Sequence, residues 1–230
     1  MSANGELDDF GKVLIVAPHP DDEVLGCGGT MARLRDEGHE VHVVCVTRGT
    51  PPAFSEELVE QVRREMHESH AVLGGSELHF LDLPAAQLDT VGAARINGAL
   101  SSVVAEIAPD TVFAPFFGDI HVDHQLVFTS TLVACRPRSQ NVPRRILAYE
   151  TLSETNWAAP PITPGFQPNV FIDIAPYLER KLAAFAKFES QVKPFPDERS
   201  PETIRALAML RGSTVYRHAA EAFMLIRQTV

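Results

Sequence analysis

The sequence is poor in cysteine and in positive charge, and it has no long apolar run. Its 230 residues include three cysteines, and 20 Lys and Arg stand against 30 Asp and Glu, for a formal net charge of −10. The basic clusters are no longer than pairs such as Arg63-Arg64 and Arg144-Arg145, so nucleic acid is not expected as a partner. No segment approaches the roughly 18 apolar residues that cross a bilayer, which argues against a membrane-spanning helix.

The remaining composition is that of an ordinary globular protein, with 45% hydrophobic and 22% charged residues. The length suits a single large domain. The N-terminus is polar and acidic, and it lacks the positive charge and the apolar stretch of a secretory signal. Cys27, Cys45 and Cys135 lie within apolar patterns, as reduced core thiols do. We therefore expect a cytoplasmic protein with no membrane partner.

Short apolar runs alternate with longer amphipathic segments in the first half of the chain. The spacing predicts strands over 12–17, 41–47, 78–81 and 111–114, and helices over 23–37, 55–73, 91–107 and 122–135. Strands that alternate with helices in this way form βαβ units with right-handed crossovers. The predicted fold is therefore α/β and Rossmann-like, with a mainly parallel sheet and helices on both faces.

The pattern becomes less regular after residue 136, where prolines are frequent. Candidate strands cover 145–149, 170–174 and 222–226, and candidate helices cover 176–189 and 201–211. We interpret 1–136 as the Rossmann-like half that carries the site. Residues 137–230 are interpreted as a substrate-capping and C-terminal extension within the same domain, 1–230.

A polar cluster, His19-Pro20-Asp21-Asp22-Glu23, follows the first predicted strand. In doubly wound sheets, ligands bind beyond the carboxyl ends of the strands, where the strand order reverses. A nucleotide-binding protein would carry a glycine-rich turn here, whereas an imidazole and three carboxylates would repel phosphate and suit a divalent cation. Gly26, Gly28 and Gly29 lack the dinucleotide spacing and are attributed to close packing of the helix on the sheet.

A second cluster, His121-Val122-Asp123-His124, follows the fourth strand, which in a 3-2-1-4 order lies beside the first. Two His and one carboxylate leave a tetrahedral zinc ion with one open position for water. Either cluster alone would also suit an ordinary helix start, but two clusters at matching strand ends favour a metal site. The other six histidines have no acidic partner at a useful spacing and are expected to be structural: His39, His42, His67, His70, His79 and His218.

These two clusters, the first extended back to Ala17-Pro18, resemble the two signatures of the PIG-L/LmbE-like N-deacetylase family. Members of that family remove acetyl groups from N-acetylglucosaminyl substrates. The agreement extends to segments along most of the chain, namely Arg63-Arg64-Glu65, Leu73-Gly74, Ser153–Trp157, Arg199-Ser200 and Ala220–Phe223. The later segments are most similar to the branch that includes bacillithiol-pathway and chitobiose deacetylases.

The resemblance implies a role for each residue of the two clusters. The family's metal ligands correspond to His19, Asp22 and His124, and its general base corresponds to Asp21. His121 corresponds to the residue that stabilises or protonates the tetrahedral intermediate, and Asp123 would orient it. Zinc is the expected cofactor, although Fe²⁺, Co²⁺ or Ni²⁺ would also suit this ligand set. A zinc-bound water would attack the amide while Asp21 takes its proton.

Five further residues are candidates for substrate binding. Asp119 stands where some family members carry a Tyr, and an Asp there would bind a sugar hydroxyl. Arg63 and Arg64 both lie near the offset of the family's substrate-binding arginine. Trp157 would stack on a sugar ring or serve as a core or interface anchor. Arg48 would hold a hydroxyl or an anionic group, or remain a solvated loop charge.

The predicted function is hydrolysis of the acetyl amide of an N-acetylglucosamine-type amino sugar or glycoside. The expected partner is this small-molecule substrate, and the resemblance also implies a homo-oligomer, either a trimer or a hexamer. Two other functions stay open. One is a metal-dependent phosphoesterase, which usually holds two metals about 3.5–4 Å apart and needs more bridging acids than we find. The other is a non-catalytic metal-binding or nucleotide-binding Rossmann-like module.

Overall fold

A single seven-stranded sheet organises the computed structural model, which describes residues 9–138, 142–159 and 161–230. The polar N-terminal residues 1–8 noted above lie outside these ranges. The strand order is β3-β2-β1-β4-β5-β7-β6. The strands are β1 (Val13–Ala17), β2 (Val41–Arg48), β3 (Glu77–Pro84), β4 (Thr111–Pro115), β5 (Arg145–Tyr149), β6 (Val170–Asp173) and β7 (Ala220–Gln228). The first five are mutually parallel, and β7 runs antiparallel to β5 and β6.

Six α-helices connect and cover the strands of the described chain. They are α1 (Asp22–Asp36), α2 (Glu56–Val72), α3 (Ala93–Ile107), α4 (Val122–Ala134), α5 (Leu178–Phe185) and α6 (Pro201–Ser213). Ser55 and Ser200 cap α2 and α6, because each hydroxyl accepts a hydrogen bond from a backbone amide of the first turn. No helix in the described ranges is long and apolar enough to cross a membrane.

The predicted fold class is confirmed, because helices lie on both faces of a mostly parallel sheet. Strand β1 is buried along its whole length. Its odd-numbered residues pack with apolar side chains of α1, α2, α5 and α6, and its even-numbered residues pack with those of α3 and α4. Since β1 pairs with β2 on one side and β4 on the other, the predicted 3-2-1-4 order is also correct. Strands β2 and β3 are therefore added on one side of β1 and β4 on the other, so the strand order reverses between β1 and β4.

The element boundaries differ from the predictions mainly in the second half. Strands β5, β7 and β6 of this half continue the main sheet beyond β4. The helix expected over 176–189 is shorter, since a 3₁₀ turn at Ala175–Tyr177 precedes α5 and the helix ends at Phe185. Strand β3 is longer than expected, because it continues past a bulge to pair Leu83 and Pro84 with β2.

The glycine-rich part of α1 packs closely, as expected, and it also meets a buried ion pair. A Cβ on Gly26 would lie 2.3 Å from the Tyr149 ring. The Lys181 ammonium donates to Glu221 Oε1 (2.6 Å) and to the Leu25 carbonyl (2.7 Å). The Glu221 carboxylate also accepts hydrogen bonds from two backbone amides of α1, at residues 29 and 30. This pair therefore joins α5, β7 and the middle of α1.

We predict that Lys181→Met lowers the free energy of unfolding by about 3–5 kcal/mol, because it leaves the Glu221 charge buried without its partner. Urea unfolding at neutral pH measures the change. The exposed neighbour Lys187 supplies the control, and Lys187→Met should cost less than about 0.5 kcal/mol. The double variant Lys181→Met/Glu221→Gln should recover part of the loss. If Lys181→Met and Lys187→Met had equal free energies of unfolding, the stabilising role assigned to the Lys181–Glu221 pair would be contradicted.

Candidate metal and catalytic centre

The turn between β1 and α1 fixes the first group of polar side chains. Asp22 Oδ2 accepts a hydrogen bond from the backbone amide of His19 (2.8 Å), which closes the turn. Asp21 precedes the helix with φ of 110°, a conformation that costs a non-glycine residue about 1–3 kcal/mol. The amide of Asp21 donates to Glu23 Oε2 (3.1 Å), which helps to hold this conformation. The consecutive residues Asp21 and Asp22 therefore contact different partners.

Three side chains from the two sequence clusters meet at the point where the strand order reverses. Asp22 Oδ2 lies 3.2 Å from His19 Nδ1 and 3.2 Å from His124 Nε2, and one ligand atom of each residue lies within 4.8 Å of the others. Asp22 and His124 are fully buried, and His19 is partly exposed. Asp22 Oδ1 has no hydrogen-bond partner in the described part of the chain. This buried, incompletely satisfied donor set fits a divalent cation.

The charges in this cluster also favour a cation. Burial raises the pKa of Asp22, but His124 and His19 outweigh it and hold the pKa well below its usual range. Burial lowers the pKa of His124, yet Asp22 and Asp119 raise it to about 10. The pKa of His19 is raised to about 9, because hydrogen bonds to Asp123 and Asp22 overcome burial. The metal-free protein thus holds positive charge beside a buried carboxylate, where a cation would also be stabilised.

Asp119 supports His124 and is not placed to bind substrate. Its Oδ2 lies 2.8 Å from His124 Nδ1, and its Oδ1 accepts a hydrogen bond from Thr155 Oγ1 (2.6 Å). A carboxylate beside Nδ1 keeps the proton on that nitrogen and leaves the Nε2 lone pair free for a metal. The expected contact of Asp119 with a sugar hydroxyl is therefore corrected, because its side chain is fully buried and both oxygens are occupied.

The carboxylate of Asp123 contacts His19, whereas the family resemblance implied that Asp123 would orient His121. Asp123 Oδ2 lies 3.0 Å from His19 Nε2 and accepts a hydrogen bond from the Ala86 amide (2.7 Å). Oδ1 accepts another from the Leu88 amide (3.2 Å). These donors in the segment after β3 and the His19 ring hold the carboxylate, so the hydrogen bond from Asp123 to His121 comes from its backbone amide and not from its side chain. His19 is consequently held between two carboxylates, Asp22 and Asp123.

A backbone amide orients the His121 ring, and this contact determines which ring nitrogen carries the proton. The amide of Asp123 donates to His121 Nδ1 (3.1 Å), so Nδ1 is the acceptor nitrogen. Burial, and next the neighbouring His19, lower the pKa of His121, which keeps the ring neutral at neutral pH. The remaining ring proton is then on Nε2. Since His121 borders a cavity, it can donate a hydrogen bond to a ligand bound there.

Asp21 is paired with Arg199, a residue that the sequence did not single out for the site. Arg199 Nη1 donates to Asp21 Oδ2 (2.8 Å) and to Gln191 Oε1 (3.0 Å), and Nε donates to Ser153 Oγ (3.1 Å). Burial raises the pKa of Asp21 to about 7, although Arg199 opposes the rise. The segment Arg199-Ser200 was part of the family resemblance, which is the one signal that pointed to this loop.

A second buried pair lies behind Asp21. Glu23 Oε1 lies 3.1 Å from His70 Nε2, and its other oxygen accepts from the Asp21 amide. Both side chains are almost completely excluded from solvent. The sequence offered no acidic partner for His70 at a useful spacing, and its partner Glu23 is distant in sequence because α2 packs His70 against the first turn of α1. Glu23 and His70 therefore support the turn that carries Asp21.

A cavity of about 250 Å³ opens beside these polar groups. His19, Asp21, His121 and Arg199 border one side. Its other walls include apolar side chains and two of the predicted arginines, at residues Phe54, Leu58, Val59, Val62, Phe80, Arg48 and Arg63. The cavity thus combines one reactive polar edge with a largely apolar surface, as small-molecule sites commonly do.

The five predicted substrate-binding residues are placed differently. Arg48 and Arg63 border the cavity, where Arg48 pairs with Glu56 and Arg63 pairs with Asp82. Arg64 is exposed and is not among the described residues that border the cavity, so Arg63 is the better-placed arginine. Trp157 is 61% exposed and donates to Glu198 (2.9 Å), outside the cavity wall. Asp119 lies beneath the site, as described above.

The fold and the site define a class: an α/β protein with a candidate single-cation centre at the reversal point of its sheet, next to a carboxylate and a neutral imidazole. Comparison with known families shows to which family this chain belongs. The family model for PIG-L, described as GlcNAc-PI de-N-acetylase, matches residues 14–135, which is more than half of the chain. The protein belongs to this family.

Individual relatives share most of their length with this chain. The uncharacterized deacetylase YaiS of Escherichia coli K12 is 30% identical over 183 residues, covering 77% of this chain and 90% of YaiS. Diacetylchitobiose deacetylase of Thermococcus kodakarensis is 27% identical over 97% of this chain and 86% of its own length. The solved structure of N,N′-diacetylchitobiose deacetylase from Pyrococcus horikoshii superposes with a TM-score of 0.76 at 26% identity, covering 98% and 87% of the two chains.

We predict that Arg199→Gln raises the pKa of Asp21 above its value of about 7 in the metal-free protein. The guanidinium favours the ionised carboxylate, so its removal disfavours that form and moves the titration midpoint to higher pH. Carboxyl ¹³C chemical shifts followed against pH measure the midpoint. Arg205→Gln is the control, since Arg205 pairs with Glu179 on the surface. If the midpoint stays unchanged or falls in Arg199→Gln, then Arg199 does not lower the pKa of Asp21 as described here.

Proposed function

We propose that the protein is a zinc-dependent deacetylase that hydrolyses the acetyl amide of an N-acetylglucosamine-type sugar or glycoside. The observation that carries this proposal is the convergence of three features on one cavity. They are the His19–Asp22–His124 cluster, which reaches the cavity through His19, the buried Asp21 carboxylate and the neutral His121 ring. Membership of the PIG-L family and similarity to diacetylchitobiose deacetylases support the same chemistry.

The metal would be held by one nitrogen each of His19 and His124 and by the Asp22 carboxylate. A zinc ion bound there would polarise the amide carbonyl and make a water molecule acidic enough to be activated near neutral pH. Asp119 and Asp123 would keep the two imidazoles in the orientation that presents lone pairs to the cation. These carboxylates are therefore proposed as positioning residues.

Asp21 is proposed as the general base. It takes a proton from the attacking water as the new C–O bond forms, and its ion pair with Arg199 holds the carboxylate at the edge of the cavity. His121 donates its Nε2 hydrogen to the oxygen that gains negative charge. When the C–N bond breaks, the leaving nitrogen takes up the proton held by Asp21. The products are acetate and the free amine.

The rest of the cavity is proposed to select a small sugar substrate. Its volume of about 250 Å³ lies just below the roughly 300–1,000 Å³ of sites for drug-sized ligands. The apolar wall formed by Phe54, Val62 and Phe80 would contact the acetyl methyl group or a sugar face. Arg48 and Arg63 would hold hydroxyls or an anionic substituent. Glu154, Gln191 and Arg199 also border the cavity, which supports a capping role for the second half of the chain.

We also propose that the chain forms a homo-oligomer, as its family resemblance implies. An apolar patch around the start of α4 supports this proposal. Phe117, Ile120 and Val122 are each between 45% and 55% exposed, an unusual amount of apolar surface for one short segment. A second copy covering this patch would remove it from water.

The test of the proposed function is acetate release from N-acetylglucosamine and N,N′-diacetylchitobiose. We expect turnover that is lost when the protein is stripped of metal by chelation and that returns when zinc is added. Phosphate release from p-nitrophenyl phosphate should stay at background, which separates this function from a phosphoesterase. Failure to release acetate from either sugar, or full activity in a metal-free preparation, would contradict the proposal.

A matched pair of variants separates the base from the metal ligand. Asp21→Asn preserves the shape but removes the basic oxygen, so kcat should fall roughly 10²–10⁴-fold while about one zinc per chain remains bound at the centre. Asp22→Asn weakens zinc binding, so its activity should fall and be partly restored by added zinc.

The zinc content of each variant relative to the wild type, determined by elemental analysis and measured alongside acetate release, decides between these roles. Asp89→Asn is the control, because Asp89 is exposed and lies in the 3₁₀ turn after β3. If Asp21→Asn empties the centre while Asp22→Asn keeps its zinc, the two roles are reversed. Equal loss of metal in both variants would remove the proposed division altogether.

A further inference from the structure

A second group of side chains that could bind a metal ion lies at the opposite end of the sheet from the candidate catalytic centre. His42 is near the amino end of β2, and Glu77 and His79 begin β3. His42 pairs with Glu77 in the register of the two strands. Since residues two apart on a strand share a face, all three side chains lie on the same face of the sheet. The sheet register thus joins residues that are distant in sequence.

The spacing of the ligand atoms suits one tetrahedral cation. His42 Nδ1 lies 3.1 Å from His79 Nε2 and 3.6 Å from Glu77 Oε2, and all three atoms lie within 4.8 Å of one another. Zinc binds imidazole nitrogen at about 2.0–2.1 Å, so neighbouring ligands around it stand about 3.3 Å apart. The separations of 3.1 Å and 3.6 Å fall on either side of this value. Small side-chain rotations would complete the coordination.

Glu40 sets the tautomer of His42 in the way that outer carboxylates do at metal sites. Glu40 Oε1 lies 2.7 Å from His42 Nε2, which places the ring proton on Nε2 and leaves a lone pair on Nδ1. In the protein without an ion this lone pair accepts a hydrogen bond from His79 Nε2 (3.1 Å), and a bound cation would take the place of the shared proton. The same Glu40 oxygen lies 3.4 Å from Lys12 Nζ, which balances its charge. His42 thus has an acidic partner two residues away, a spacing that the sequence analysis did not count as useful.

The exposure of the three residues leaves a route for a metal ion. His42 is buried, His79 is half-buried and Glu77 is exposed. A cation would therefore rest against the sheet with one side open to water, which could supply the remaining ligand. We propose that His42, Glu77 and His79 form a second site for a zinc-type transition-metal ion. This site joins the edge strand β3 to its neighbour β2 and shares no residue with the candidate catalytic centre.

The proposal is tested by counting zinc ions on metal-stripped protein after equilibrium dialysis against saturating zinc. His79→Gln should bind one zinc per chain fewer than the wild type. His218→Gln replaces an exposed histidine elsewhere on the surface and should bind as many as the wild type. His19→Ala should still bind one zinc at the strand site, even if the catalytic proposal fails. Equal binding by His79→Gln and the wild type would overturn the proposal, as would complete loss of zinc in His19→Ala.

A second variant guards against misfolding of His79→Gln. Glu77→Gln changes an exposed side chain and should weaken the strand site at least tenfold, as measured by zinc titration in competition with a chelating dye. Zinc should also raise Tm less in this variant than in the wild type, because the ion binds only the folded strands. Activity of the catalytic centre should be unaffected. Unchanged zinc affinity in Glu77→Gln would contradict the proposed ligand set.

Discussion

The centre of this molecule depends on one buried carboxylate, Asp22, which lies between the imidazoles of His19 and His124. A charge excluded from water is costly unless opposite charge lies close to it. In the metal-free protein, protonated imidazoles provide that charge. A single divalent cation would also provide that charge, and Asp22 Oδ1, which has no hydrogen-bond partner among the described residues, could bind it.

The surrounding structure keeps this arrangement in place from several directions. Asp119 and Asp123 each hold one histidine of the cluster, and each is anchored in turn, by a hydroxyl or by backbone amides. The strained turn at Asp21 directs its carboxylate to Arg199 and away from the cluster. Two adjacent aspartates of identical chemistry therefore have different neighbours, and this difference is the structural basis for assigning them different roles.

The order of the first four strands and the meeting of the two polar clusters could be predicted from the sequence. Strand periodicity is a local property of the chain, and the rule that ligands bind where the strand order reverses needs only the topology. The sequence did not predict that the Asp123 carboxylate turns to His19, since the amides of Ala86 and Leu88 that attract it follow a different strand. Arg199 and the His42 cluster were missed for the same reason. Their partners are brought together by tertiary packing and by strand register, and no spacing along the chain records those contacts.

The central claim is that a cation binds Asp22 together with His19 and His124. It has one close competitor, since His19, His121 and Asp123 also bring ligand atoms within 4.8 Å of one another. Anomalous diffraction at the zinc absorption edge, from crystals of the zinc-loaded protein, distinguishes the two. The account predicts a peak about 2.0–2.2 Å from one ligand atom each of His19, Asp22 and His124. A peak bound by His19, His121 and Asp123, with Asp22 left unligated, would contradict it.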